Sequence, residues 1–200
     1  DIRGAGNLLG AEQSGFITDM GFETYQKILA EAMEELGMES GTVSRRQDDN
    51  FVPDCTIDTD QLALIPDSYI DMTAEKIRIY KELDSMTSDR EMDDLRKRLE
   101  DRFGKMPDEV LRLFDIVRVR RLGQQLGFEK IIIKNGVMIA FFISNPLSQY
   151  YRSNRFSKIL ENIGKYPNIF ELKQNENKLR IFSRNVDSIS KALSILKKMQ

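Results

Sequence analysis

Apolar residues recur along this chain with two different periods, and the change from one to the other organises it. Between Gly21 and Leu36, Phe22, Tyr25, Ile28, Leu29, Ala32, Met33 and Leu36 fall at helical spacing, and Gly37 suits the C-cap. Glu39–Asn50 exchanges apolar residues for Ser, Gly, Thr and adjacent charges, which reads as a linker holding the domain boundary. From 51 to 66, a short alternation through Cys55, Ile57, Leu62 and Leu64 is interrupted by Pro53 and Pro66, as in an extended arm or edge strand. Three helices are predicted next. Ser68–Met86 turns Ile77, Tyr80 and Leu83 inward. Ser88-Asp-Arg-Glu91 is a capping box, in which serine and glutamate side chains satisfy free N–H groups at a helix start. It opens a helix that buries Met92, Leu95, Leu99 and Phe103 and stops at Gly104. Pro107 fits the first position of a long helix to Leu126, ended by Gly127, with Val110, Leu113, Phe114, Val117 and Leu122 as its core side.

The period then shortens to two. Phe128–Lys134 and Val137–Ile143 are β-branched and aromatic runs around Asn135-Gly136, a strong hairpin signal. A helix is predicted near Ser153–Gly164, with Phe156, Ile159, Leu160 and Ile163. Asn168–Lys173 and Lys178–Phe182 form a second hairpin around Asn175-Glu-Asn177. A last helix covers Val186–Met199 through Ile189, Leu193 and Leu196. The fold class is therefore α+β: a helical segment and linker, a three-helix stretch, then hairpin, helix, hairpin, helix. Without long crossovers the sheet should be small and largely antiparallel or mixed, with helices on one side.

Composition narrows the chemistry. The chain has no histidine and one cysteine among 200 residues, which removes histidine-based catalysis, thiolate zinc sites and any internal disulfide. Cys55 reads as a small buried or half-buried residue in a reducing compartment. Asp48-Asp49 and Asp58-Thr59-Asp60 lack calcium-loop spacing and read as solvated turns. No apolar run approaches the ~18 residues of a membrane span, and the absence of a charged-then-apolar opening argues against a signal peptide if this is a native N-terminus. The chain starts Asp-Ile-Arg, so its N-terminus is expected to come from cutting a longer protein. The net charge of −2 hides an asymmetry: residues 1–60 hold 13 acidic and 4 basic side chains, residues 145–200 hold 4 and 11. A basic tail suits nucleic acid or an acidic protein, although lysines spread over helix faces more often serve solubility.

Arg3-Gly-Ala-Gly6-Asn-Leu-Leu-Gly10 has glycines spaced one residue too far for a dinucleotide phosphate loop, and no strand precedes it here. The longer string Asp1-Ile-Arg-Gly-Ala-Gly-Asn-Leu-Leu-Gly-Ala-Glu-Gln-Ser-Gly15, followed by Gly21-Phe-Glu-Thr-Tyr25, resembles something else. It is similar to the translocation motif behind the second helicase domain of bacterial transcription-repair coupling factors and RecG-type helicases. Ile65-Pro66-Asp67-Ser-Tyr-Ile70, Tyr80-Lys81 and Asp101-Arg102-Phe103-Gly104 before Pro107 resemble the C-terminal domain of the coupling factors in particular.

The resemblance implies residues 1–38 as the end of the translocation motif with its following helix, 39–50 as linker and 51–200 as a C-terminal regulatory α/β domain. Arg3 and Gln13, with Gly4, Gly6 and Gly10, would couple ATP-driven closure of the motor lobes to movement on duplex DNA, as an arginine fork and a glutamine amide can. The motor's ATP and Mg sites lie outside this chain, so no cofactor and no catalytic residue are expected in it. The implied partners are the motor domains of the same protein and its N-terminal domain that recruits the excision-repair protein UvrA. For the whole protein they are duplex DNA, stalled RNA polymerase and UvrA, in the cytoplasm. Asp101 and Arg102 are implied in the intramolecular masking of the UvrA-recruiting domain. The sequence departs at Arg98, where the family carries an acidic residue. Two other readings compete: a stand-alone nucleic-acid-binding domain using the basic 145–200 segment with Tyr150, Tyr151 and Phe156, and a phosphate-using enzyme, which the loop spacing disfavours.

Overall fold

The structure, a computed structural model, describes residues 51–176 and 178–200. The predicted helix 21–36, the linker 39–50, Asp48-Asp49 and the motif residues Arg3, Gly4, Gly6, Gly10 and Gln13 lie outside the described residues. Along the chain run β1 (Thr56–Thr59), α1 (Thr73–Ser85), α2 (Asp89–Phe103), α3 (Asp108–Leu126), β2 (Phe128–Lys134), β3 (Val137–Phe142), a 3-10 turn at Gln149–Arg152, α4 (Asn154–Gly164), β4 (Glu171–Asn175), β5 (Lys178–Arg184), α5 (Ile189–Leu196) and a final 3-10 turn. These elements fall into two compact units: Leu62–Phe114, and residues 51–61 together with Asp115–Gln200.

The first unit is helical. Its α1 starts five residues later than its apolar pattern suggests. The Pro66 carbonyl accepts from the N–H groups of Tyr69 and Ile70, closing a turn, and Met72 is extended. The inward stripe of α1 is also shifted from the reading above. Lys76, Ile79, Tyr80 and Leu83 are buried, whereas Ile77 is only half-buried. A lysine occupying one inward position concealed the register. The capping box of α2 is present in full, with Ser88 Oγ accepting from Glu91 N at 3.3 Å and Glu91 Oε2 accepting from Ser88 N at 3.0 Å. Met92, Leu95 and Leu99 form the buried side of α2, and each such side chain contributes roughly 1.5–3 kcal/mol. Phe103 is half-buried rather than a core residue.

The second unit is a five-stranded mixed sheet of order β1-β2-β3-β5-β4. β1 pairs parallel to β2, Ile57 beside Ile131, so residues 56–59 form an edge strand. Asp58 and Thr59 therefore belong to a strand and are not a solvated turn. Asp58 pairs with Lys134 at 2.6 Å, and Asp60 accepts the Asn135 N–H at 2.9 Å. The hairpin β2–β3 turns at Asn135-Gly136 with φ of 53° and 73°, the pair of positive values that a two-residue hairpin turn requires. The second hairpin, β4–β5, lies two to three residues further along than predicted at each outer end. The predicted last helix is shorter: Ser188 caps it, Val186 instead donates its N–H to the Gly136 carbonyl at 2.8 Å, and 197–199 tighten into a 3-10 turn.

One face of the sheet is covered. Ile131, Ile133, Met138, Ala140, Phe142 and Ile181 are all buried, and Phe142 packs on Tyr150 and Phe156. Two glycines let backbone approach this layer. A Cβ on Gly123 would stand 2.6 Å from Cys55 Sγ, and one on Gly127, where φ is +88°, would stand 2.3 Å from the Tyr150 ring. Cys55 is buried, as expected for it.

Candidate interaction surface

The site is built within the helical unit, from the ends of its elements. Ile65 donates its N–H to the buried Tyr80 hydroxyl at 3.0 Å, fixing the entry to the Pro66 turn. Lys76 is buried along its stem and ion-pairs with exposed Asp67 of the same turn. The whole Lys76 side chain is buried, so its charge is met by the Asp67 carboxylate rather than by solvent. Tyr69 then reaches α2: its hydroxyl donates to the Gly104 carbonyl at 3.0 Å, and its ring meets Phe103 edge-on at 5.9 Å. Partial burial, and secondarily the Glu100 carboxylate, push the Tyr69 hydroxyl pKa up, so it remains a donor at neutral pH. Gly104 ends α2 with φ of 85°, and its N–H returns to the Glu100 carbonyl at 2.9 Å. Ile65–Ile70, Tyr80 and Asp101–Gly104, far apart in the chain, thus meet at one corner.

Asp101 and Arg102 are both exposed at that corner, but they are held differently. Arg102 donates to Glu75 of α1 at 2.7 Å and lies 4.8 Å over the Phe103 ring. Glu75 also accepts from Arg78 at 2.6 Å. The hydrogen bond from Arg78 is the main reason the Glu75 carboxyl is held below its usual range; Arg102 adds to this, and burial opposes it. Asp101 has no ion-pair partner among the described residues. Arg98, the position where the sequence departs from the family, pairs with Glu82 across the same two helices. Arg102 and Arg98 are therefore fastened to α1, while Asp101 presents a carboxylate to solvent.

Sequence reasoning missed Glu75 and Lys76. The signal for Lys76 was present, since it falls on the stripe shared with Ile79, Tyr80 and Leu83. Glu75 could not be found from spacing, because its partner Arg102 is 27 residues away. The alternative aromatic set is not a surface platform. Tyr150 is buried, Tyr151 and Phe156 are half-buried, and the three rings pack on one another at 5.0–5.4 Å. The Tyr150 hydroxyl donates to the Leu126 carbonyl, and burial, first among its causes, drives its pKa far up. Among the described residues no group of three or more acidic or cysteine side chains could hold a metal ion, and no helix is long and apolar enough to cross a membrane.

The architecture is that of an α+β domain whose organised polar groups are ion pairs and helix-end contacts at a surface. Residues 59–153 match the model of the TRCF domain. The chain is 34% identical over 188 residues to the transcription-repair-coupling factor of Rickettsia typhi, covering 94% of this chain and 15% of that protein. It is 38% identical over 130 residues to that of Bacillus subtilis, covering 65% of this chain and 10% of the relative. The solved C-terminal domain of a transcription-repair coupling factor shares the fold, with a TM-score of 0.62 and 20% identity over 73% of this chain and 89% of that one. The chain belongs to the transcription-repair-coupling factor family. It spans about 15% of the length of curated relatives such as the Rickettsia protein.

Proposed function

We propose that this chain is the C-terminal part of a bacterial, cytoplasmic transcription-repair coupling factor and that its described domain is a regulatory clamp without a catalytic step of its own. In this reading the parent is an ATP-dependent translocase on duplex DNA that displaces stalled RNA polymerase. Arg3 and Gln13 couple its motor lobes to movement. The domain masks the N-terminal region that recruits UvrA until the motor engages. The observation that carries the proposal is the corner where the stretches resembling the coupling factors converge, with Asp101 unpaired and Arg102 held by Glu75 beside it. A clamp is one state of a two-state equilibrium, and UvrA binds only the open state, so its apparent affinity is reduced by the open fraction.

Deleting 51–200 from the intact protein should therefore strengthen UvrA binding. Asp101→Arg should do so more weakly, by about five-fold, since an exposed ion pair is worth about 1 kcal/mol. A titration of the intact protein and both variants with UvrA tests this. Unchanged affinity in the deletion overturns masking. Unchanged affinity in Asp101→Arg alone moves the clamp to another face.

A further inference from the structure

The sheet of the second unit has a second face. Strand residues alternate sides, and the register places the side chains between the buried rows together. Lys130 stands beside Phe141 and Phe141 beside Arg180, which stands beside Lys173, in a row across four strands. In the next row Ile139 stands beside Phe182. Lys134, Lys178 and Arg184 fall on the same side, so this face carries six cations. They surround two aromatic rings on the adjacent strands β3 and β5, diagonal neighbours about 7–8 Å apart in such a ladder. Asp58 and Glu171 are the acidic groups that the register sets among them.

The face is open to solvent at Lys134, Lys173, Lys178 and Arg184, while Lys130 and Arg180 are half-buried. The Lys134, Lys173 and Arg184 side chains are 39%, 40% and 77% exposed. Asp58 and Glu171 engage Lys134, Lys173 and Arg184. Lys130, Lys178 and Arg180 have no carboxylate partner among the described residues. Arg180 lies 5.1 Å over the Phe182 ring with its Nε buried and lacking an acceptor, so its guanidinium is oriented by stacking rather than by an anion of this chain. Buried polar groups in native structures rarely go unpaired, and an unpaired one calls for an explanation.

We infer that this sheet face binds single-stranded nucleic acid. A cationic stripe interleaved with aromatic rings on a sheet is the arrangement that takes phosphates on the cations and unpaired bases on the rings. Stacking requires bases freed from a duplex, so the preference is for a single strand. The Phe182 ring already meets Lys173 Nζ at 4.5 Å and Arg180 at 5.1 Å, so Phe141 is the ring offered to a base, and an acidic protein segment would satisfy the charges but make no use of it.

The test is fluorescence anisotropy of a labelled oligothymidylate of about 15 nucleotides, a length within the site sizes of such surfaces, titrated with the whole 200-residue chain. Affinity should fall roughly twenty-fold between about 50 and 200 mM salt if about three phosphates are neutralised. Phe141→Ala should weaken binding by about ten-fold. Lys130→Gln with Arg180→Gln should flatten the salt dependence, and this surface pair carries the test should Phe141→Ala fail to fold. Lys191→Gln on α5 should change nothing. The inference is overturned by no binding at about 50 mM salt, by equal affinity for a duplex of the same length, or by variants on this face that bind as the parent does. It is overturned equally if polyglutamate displaces the probe as well as unlabelled oligonucleotide, which would make the face a dock for acidic protein. Masking of the UvrA-recruiting region is read on a different unit, so neither result decides the other.

Discussion

The two units use their charged side chains in opposite ways. In Leu62–Phe114 charges hold the backbone: Glu91 caps α2, and Glu75 and Glu82 fasten Arg102 and Arg98 across two helices. In the sheet unit the backbone is held by strand pairing and apolar packing, and many charges stand on a face that the register assembles. A charge committed to structure is a poor candidate for partner binding, because losing it also disturbs the fold. This contrast is why Asp101, rather than Arg102, is the cleaner reporter of an interface in the first unit.

The contrast can be broken most forcefully in the sheet unit, through packing. Gly127→Ala places a Cβ against the Tyr150 ring at a position with φ of +88°, and it should cost about 3 kcal/mol or more. Thermal unfolding measures this, and a loss under ~1 kcal/mol would mean that the Gly127 approach is readily relaxed. In the helical unit Lys76→Ala should cost about 2–3 kcal/mol, whereas Lys76→Met should stay within about 1 kcal/mol of the parent. The buried stem, not the ion pair with exposed Asp67, supplies most of its contribution. Equal losses in the two variants would reverse that assignment. Ser88→Ala removes the cap of α2 and should cost about 1 kcal/mol by chemical denaturation.

The smallest effect is titrational. Glu75 has a depressed folded-state pKa, so its contribution is present above the ordinary carboxylate range and is lost as pH falls through the folded value. The stability difference between the parent and Glu75→Gln should be largest near neutral pH and shrink toward acid, below the ordinary glutamate value of about 4.3. A difference constant with pH would mean that Arg78 and Arg102 do not hold the carboxylate in solution.

Features encoded by neighbouring residues were legible in the sequence. Asn135-Gly136 specified its own turn, Ser88 and Glu91 their own cap, and Gly104 and Gly127 the ends of two helices, because each needs partners only a few residues away. The start of α1 was not legible, since the Pro66 turn competes with the helix for 68–72 and the decisive anchor, Tyr80 to Ile65, is tertiary. The parallel pairing of β1 joins residues some seventy apart in the chain, and no local pattern states it. The same limit hid the cationic face: Lys130, Phe141, Arg180 and Lys173 become neighbours only once three strand registers are known. For the candidate corner, the sequence supplied Asp101 and Arg102 through family resemblance, but not Glu75, which determines how they differ.

The measurement that bears most directly on the regulatory reading is binding between this 200-residue chain and the separately expressed N-terminal region of its own parent protein. The account predicts a saturable complex that Asp101→Arg weakens about five-fold while the Lys130→Gln/Arg180→Gln variant leaves it unchanged. Absence of a complex, or one weakened only by the sheet-face variant, would contradict it.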